Sequence, residues 1–202
     1  MSIFGLTGGI ACGKSHIAEV FMDHNITILD ADVVARQVVV PGSPGLEQIV
    51  QAFGQQVLHT MSHSLDRNRL AEIVFSDPAA LATLNAIMHP LIAVESQKQL
   101  QLLEKEYLLV GYSAALLVEN NHINLYRPLI VVSCPTHIQI ERLIRRGLTK
   151  QQALDRIAAQ LPDADKIKVA DYVVDASGTK HQTKVQLEAI IKEMQNAQIS
   201  DQ

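Results

Sequence analysis

Short runs of aliphatic and β-branched residues alternate along this chain with longer stretches whose apolar positions recur every three or four residues. The runs Ile3–Leu6, Ile26–Leu29, Leu108–Val110, Leu129–Val132 and Tyr172–Val174 read as strands. Ile17, Val20 and Phe21 fall on one helical face and predict a helix from about Gly13 to Asp23. Further helical patterns cover Gly45–Phe53, Arg69–Phe75, Pro78–Glu104, Thr136–Arg146, Thr149–Gln160 and Lys180–Ala197, and Pro90 is expected to interrupt the longest of them. Continuously apolar strands that alternate with helices predict an α/β fold, a parallel five-stranded sheet covered on both faces. The segment from Ser62 to Leu103 holds no convincing strand and reads as a helical insertion.

Composition narrows the class. With 202 residues, 48% of them hydrophobic and 19% charged, the chain can bury a core of its own, and disorder is excluded. The 17 basic and 21 acidic residues leave a formal charge of −4, which argues against phosphate-backbone binding over a broad surface, so no nucleic-acid partner is expected. Two cysteines, Cys12 and Cys134, make neither a disulfide framework nor a zinc site and suit a reducing compartment. The amino end lacks a basic n-region, and the apolar stretch Leu108–Val118 is about half of the ~20 residues a bilayer span requires. A soluble, cytoplasmic protein without a membrane partner is therefore expected.

Gly8-Gly9-Ile10-Ala11-Cys12-Gly13-Lys14-Ser15 fits G-x-x-x-x-G-K-[ST] between a predicted strand and a predicted helix. Composition alone would produce roughly 0.002 such matches in a chain of this length. The residue types suit phosphate. Glycines let successive amides turn inward, the helix start adds its positive dipole end, Lys14 reaches the β and γ phosphates, and the Ser15 hydroxyl can ligate Mg²⁺. Asp30-Ala31-Asp32 follows the second strand, expected beside the first, where open parallel sheets bind ligands. One of these acids could orient metal-bound water and the other accept a proton from an attacking hydroxyl, although Asp32 could equally cap the next helix. The residues alone do not say which acid is the base.

Gly5–Ser15 together with Asp30–Gly42 resembles the opening of the dephospho-CoA kinase family, and the likeness continues through Leu65-Asp66-Arg67, Ile73–Phe75, Leu84–Pro90, Leu116–Asn120, Arg156–Gln160 and Ala170–Asp175. It spans about Leu6 to Gly178. The resemblance implies a P-loop nucleotide kinase-like fold with a core at about 1–61, 104–135 and 162–202, a helical CoA-binding insertion at about 62–103 and a lid at about 136–161. It implies ATP-dependent phosphorylation of the ribose 3′-hydroxyl of dephospho-CoA, the last step of coenzyme A synthesis, with Mg²⁺ and two small-molecule substrates; a monomer or weak homo-oligomer is expected, though the sequence does not reveal which.

By the same resemblance, Gly8, Gly9 and the run Ala11, Cys12, Gly13, Lys14, Ser15 and His16 wrap the ATP phosphates, and Asp32 is the base. Asp30 joins Ser15 in support of Mg²⁺, and Arg36, Arg67 and His89 belong to the acceptor side. Arg142 and Arg146 lie four apart on one helix face, suited to closing over the transferring phosphoryl group, and Asp175 opens the loop near adenine. His16, Ser113, Ala115 and Ala176 stand where the family usually has Thr, Asp, Pro and Asn, so one candidate acid near the metal and one adenine contact are absent. Ser62-His63-Ser64 also lacks the Asp-Gly turn usual before Leu65-Asp66-Arg67. Three alternatives remain: another small P-loop kinase acting on a nucleoside monophosphate or hydroxyl metabolite, a catalytically silent nucleotide-binding protein, and a GTP switch. The last would need an Asn-Lys-x-Asp guanine contact, which the chain lacks.

Overall fold

The computed structural model describes residues 3–200, with side chains through Ala197. In chain order the elements are β1 (Ile3–Gly8), α1 (Lys14–Asp23), β2 (Thr27–Asp30), α2 (Ala31–Gln37), α3 (Pro44–Phe53), α4 (Arg67–Ser76), α5 (Pro78–Leu103), β3 (Val110–Ser113), β4 (Leu129–Ser133), α6 (Thr136–Arg145), α7 (Lys150–Ala158), α8 (Asp163–Lys168), β5 (Tyr172–Asp175) and α9 (Lys180–Ser200). The strands form one parallel five-stranded sheet in the order β2-β3-β1-β4-β5. On one side β1 aligns Ile3 with Val110 and Leu6 with Ser113 of β3; on the other it aligns Gly5 with Leu129 and Gly8 with Val132 of β4.

This order corrects one expectation. β2 does not lie beside β1, because β3 runs between them. Phe4 through Gly8 are all buried, and a strand buried on both faces is best hydrogen-bonded on both edges, which places β1 in the middle. β3 itself begins two residues later than predicted. Leu108 is half-exposed in the approach, whereas Gly111 and Tyr112 are buried, positions that β-propensity undervalues. Gly111 has a packing reason: a Cβ there would run into Ile28 and the Phe4 ring.

Phe4 and Leu6 of β1 pack with Ile17, Val20 and Phe21 of α1 and with Leu187, Ile190, Ile191 and Met194 of α9. The Phe4 and Phe21 rings meet at 4.9 Å between centroids. At roughly 25 cal/mol per Å² of apolar surface, side chains of this size contribute about 2 kcal/mol each when fully buried. This core holds the strand–loop–helix connection that carries the sequence motif.

The chain divides into two compact units, one formed by the residues up to Leu29 and from Leu102 on, the other by Asp30–Gln101. The second unit has its own cluster of Val39, Ile49, Val57, Leu70 and Val74, against which Ala80, Leu84, Ile87 and Met88 of α5 pack. The segment expected as a helical insertion lies within it, apart from its last two residues. Pro90 does not interrupt α5, which runs from Pro78 to Leu103 without a break. Because Pro90 is on the exposed side, its ring can be tolerated by a modest local distortion. α5 is also the one helix, among the described residues, long and apolar enough to cross a bilayer by length and composition alone. The uncharged run that matters for that test is thus in α5, not Leu108–Val118. The helix α8 was not anticipated; six residues are too few to show a period.

Candidate active site

Residues Gly9–Gly13 link β1 to α1 in a loop that turns on unusual backbone. Gly8 closely approaches the neighbouring strand, and a Cβ there would strike the Val132 carbonyl. Gly13 caps α1 at φ 105°, a conformation that costs an L side chain free energy but not glycine. Ala11 also lies in the left-handed region, at φ 61°, and is held there by its surroundings. Lys14 turns back over the loop and donates to the Gly8 carbonyl at 3.0 Å. Ser15 is exposed in the first turn of α1. The Nδ1 of His16 bonds Glu19 at 3.3 Å, and its buried Nε2 has no partner among the described residues.

Arg142 on α6 does not wait as a free cation. Its Nη1 donates to the carbonyls of Ala11 (3.1 Å) and Cys12 (3.2 Å), and its Nη2 donates to the Ala176 carbonyl at 2.7 Å. One guanidinium therefore ties the loop, α6 and the turn after β5 together. Arg146 borders a cavity of about 200 Å³ with Gly13, His16, Arg142, Lys180 and Thr183. Ala11 also packs with Leu143 and Ala153, so the helices expected to form the lid rest on the loop. Asp175 opens the turn after β5. Its Oδ1 accepts the Ser177 amide at 2.8 Å, closing a turn, and it borders a separate cavity of about 500 Å³ with His181 and Gln186. The loss of Asn at 176 leaves the Arg142 contact intact, since that contact uses the backbone carbonyl.

Several supports of the loop were not foreseen. The Ile10 amide donates to Gln160 Oε1 at 2.8 Å. Gln139 Nε2 reaches Cys12 Sγ at 3.0 Å, and Asp163 Oδ2 lies 3.4 Å from the same sulfur. Lys166, fully buried, pairs with Glu119 at 2.8 Å; Glu119 also accepts the Leu161 amide at 3.1 Å. The Ala115 carbonyl accepts the Thr7 hydroxyl at 3.3 Å, so this departure too is used through its backbone. Gln160, Glu119 and Thr7 lay in stretches whose family likeness could have flagged them. The others are single polar residues brought together by the sheet, and no local pattern marks them.

In the unit 30–101, the acids have distinct tasks. Asp30 caps α2: its Oδ1 accepts the Asp32 amide at 2.8 Å. The capping residue is thus Asp30, not Asp32, and the Asp32 carboxylate is left exposed in the first helical turn. Arg36 lies one turn further along. Arg67 opens α4, whose start is set by Asp66 capping the Asn68 and Arg69 amides at 3.1 Å each, two residues before the predicted helix start. Partial burial, then the nearby Arg36 guanidinium, lowers the Arg67 pKa from its ordinary value. Among the described residues neither arginine joins an ion pair with an acid. His89 is exposed on α5. His63 supplies the turn that Asp-Gly would form elsewhere, at φ 51°.

A parallel α/β sheet with a phosphate loop between its central strand and the next helix is a P-loop kinase-like fold. The family model described as dephospho-CoA kinase matches residues 2–182. A dephospho-CoA kinase from Thermobifida fusca is 44% identical over 192 residues, 95% of each chain. A Thermus thermophilus protein of solved structure superposes with a TM-score of 0.83 at 30% identity, over 95% of this chain and 97% of its own. The dephospho-CoA kinase of Campylobacter jejuni superposes with a TM-score of 0.74 at 27% identity, over 96% and 97%. The chain belongs to the dephospho-CoA kinase family.

Proposed function

We propose that this chain transfers the γ-phosphoryl group of ATP to the ribose 3′-hydroxyl of dephospho-CoA, giving coenzyme A and ADP. Family membership supports the reaction. The observation that carries the acceptor reading is the pair Arg36 and Arg67: partial burial, then the nearby Arg36, lowers the Arg67 pKa, and among the described residues neither is in an ion pair with an acid. Two guanidinium groups in that state lower their free energy when an anionic acceptor arrives.

The amides of Ala11–His16 and the ammonium of Lys14 would hold the ATP phosphates, whose developing charge they stabilise. Arg142 keeps the loop in shape through its three carbonyls, and the cavity beside Arg146 and Thr183 would receive the nucleoside. Mg²⁺ fits the donors present, because it needs only one or two protein oxygens beside substrate phosphates and water. Ser15 supplies one such oxygen. Bound there, the ion would neutralise phosphate charge. Asp32 would take the proton of the acceptor hydroxyl as that oxygen attacks phosphorus and the bond to the ADP oxygen breaks.

Incubation of the purified chain with Mg-ATP and dephospho-CoA should release ADP in a coupled assay and give coenzyme A by mass spectrometry. Lys14→Ala should remove both signals. Turnover on a nucleoside monophosphate with none on dephospho-CoA would assign the site to a different small kinase.

A further inference from the structure

Cys12 and Cys134 stand 122 positions apart in sequence, yet their sulfurs lie 3.5 Å apart and both thiols are free. One belongs to the phosphate loop and the other follows the carboxyl end of β4. We propose that these two residues form a reversible disulfide that disables the phosphate loop when a hydroperoxide is present.

The distance makes the bond accessible and also makes it disruptive. A disulfide holds its sulfurs at about 2.05 Å, so closure requires roughly 1.5 Å of approach. Cys134 extends from a strand whose Val131 and Val132 are fully buried in mid-sheet, which makes it the fixed partner. Cys12 is then the one to move, and its sulfur leaves the 3.0 Å contact with Gln139 and the 3.4 Å contact with Asp163. The same residue's carbonyl is held by Arg142, and its neighbour Ala11 is already in the left-handed region. Displacement by about 1 Å in a group that positions substrate costs on the order of 100-fold in rate.

Chemistry separates the two thiols. Cys134 keeps 6% of its surface exposed, whereas Cys12 has none. The hydrogen bond shared with Cys12 lowers the Cys134 pKa; burial opposes this, and the Arg142 guanidinium 3.7 Å from its sulfur lowers it further, whereas the same bond and burial both raise that of Cys12. Cys134 is therefore the attacking thiolate. Its sulfur bonds to one peroxide oxygen, the O–O bond breaks, and the departing hydroxide (or alkoxide) takes a proton from solvent. The Cys12 sulfur then attacks the resulting sulfenic acid; the S–O bond breaks, and the Cys12 proton leaves with hydroxide as water. Two thiols lose two electrons and the hydroperoxide gains them. A dithiol reductant reverses the link by exchange.

The link itself does not depend on the acceptor, while its effect on turnover rests on the proposed kinase reading. The test treats the full chain with hydrogen peroxide, then follows peptide masses, binding of a fluorescent ATP analogue, and phosphoryl transfer. A Cys12–Cys134 peptide lighter by two hydrogens should appear. Analogue binding or turnover should fall about ten-fold or more in proportion to the linked fraction and return with dithiothreitol. Cys134→Ser, or Cys134→Ala if the serine variant folds poorly, should be as active as the parent before peroxide and resist it afterwards. Oxidised cysteines without the linked peptide would overturn the proposal, as would full linkage with binding and turnover unchanged, or equal peroxide loss in the Cys134 variant. If dephospho-CoA proves not to be the acceptor, peptide mass and analogue binding still decide the matter.

Discussion

Around the phosphate loop, polar side chains are committed to other parts of the protein, whereas in residues 30–101 the charges proposed to serve the reaction are in no ion pair among the described residues. Arg142 holds three carbonyls, Gln160 holds the Ile10 amide, and Lys166 is sealed against Glu119. By contrast, Asp32 is released by the Asp30 cap, and Arg36 lies near enough to Arg67 to lower its pKa. The difference follows from what each region would bind. A loop that grips phosphate with its backbone must have its shape fixed in advance, since amides cannot be re-aimed one at a time. An acceptor region that recognises anions through long side chains can keep them hydrated until ligand arrives.

Replacing Asp32 with Asn should have the largest effect if the second region supplies the chemistry. Turnover should fall about 10²–10⁴-fold, with the KM for ATP nearly unchanged. A rate within a factor of two of the parent would remove Asp32 as the base and leave the two regions undistinguished in role.

The next test bears on the first region. Lys166→Met leaves the Glu119 carboxylate buried without its cation, which costs about 3–5 kcal/mol, read as a lowered midpoint of urea unfolding. The double variant with Glu119→Gln should recover part of the loss, because no uncompensated charge is then buried. A single variant as stable as the parent would show that this brace is dispensable.

Arg67→Gln should raise the KM for dephospho-CoA roughly 10-fold while leaving that for ATP unchanged. Its effect on the unliganded fold has the opposite sign to the Lys166 change. Burial and Arg36 lower the Arg67 pKa, so the folded state disfavours the charge relative to the unfolded one, and removing that charge should not destabilise the protein. Because an arginine guanidinium stays protonated through the neutral range, the parent should show no titration of this residue between pH 6 and 9, and pH profiles of the two proteins should run parallel there. A fall in stability would mean that Arg67 is a structural residue.

Those contrasts also explain what the sequence disclosed. The loop was legible because its elements are local: a strand, two glycines with geometric tasks, Lys14 and a helix fall within a few consecutive positions. The family likeness reached Asp32, but the backbone was needed to show that Asp30 takes the cap. Long-range facts were not legible. The insertion of β3 between β2 and β1 depends on residues more than a hundred positions from β1. The use of Arg142 as a tie also escaped the spacing, since a helical face predicts direction and says nothing of what lies opposite. The burial of Lys166 ran against its type, and its partner is 47 positions away.

Pro90 gives the smallest expected effect and the sharpest check on the second region's tolerance. A proline in a helix interior removes one backbone donor and crowds the carbonyl four residues before it, which predicted a break that α5 does not show. The helix therefore absorbs the ring, and most of the intrinsic penalty of about 3 kcal/mol should have been relieved by local adjustment. Pro90→Ala restores a donor opposite Ala86 on an exposed face, so the unfolding midpoint should rise by the equivalent of about 1 kcal/mol. The gain should appear in chemical denaturation while far-ultraviolet circular dichroism stays the same, because the helix already spans the position. A loss of stability would mean that the proline ring sets a bend on which the packing of Leu84, Ile87 and Met88 depends.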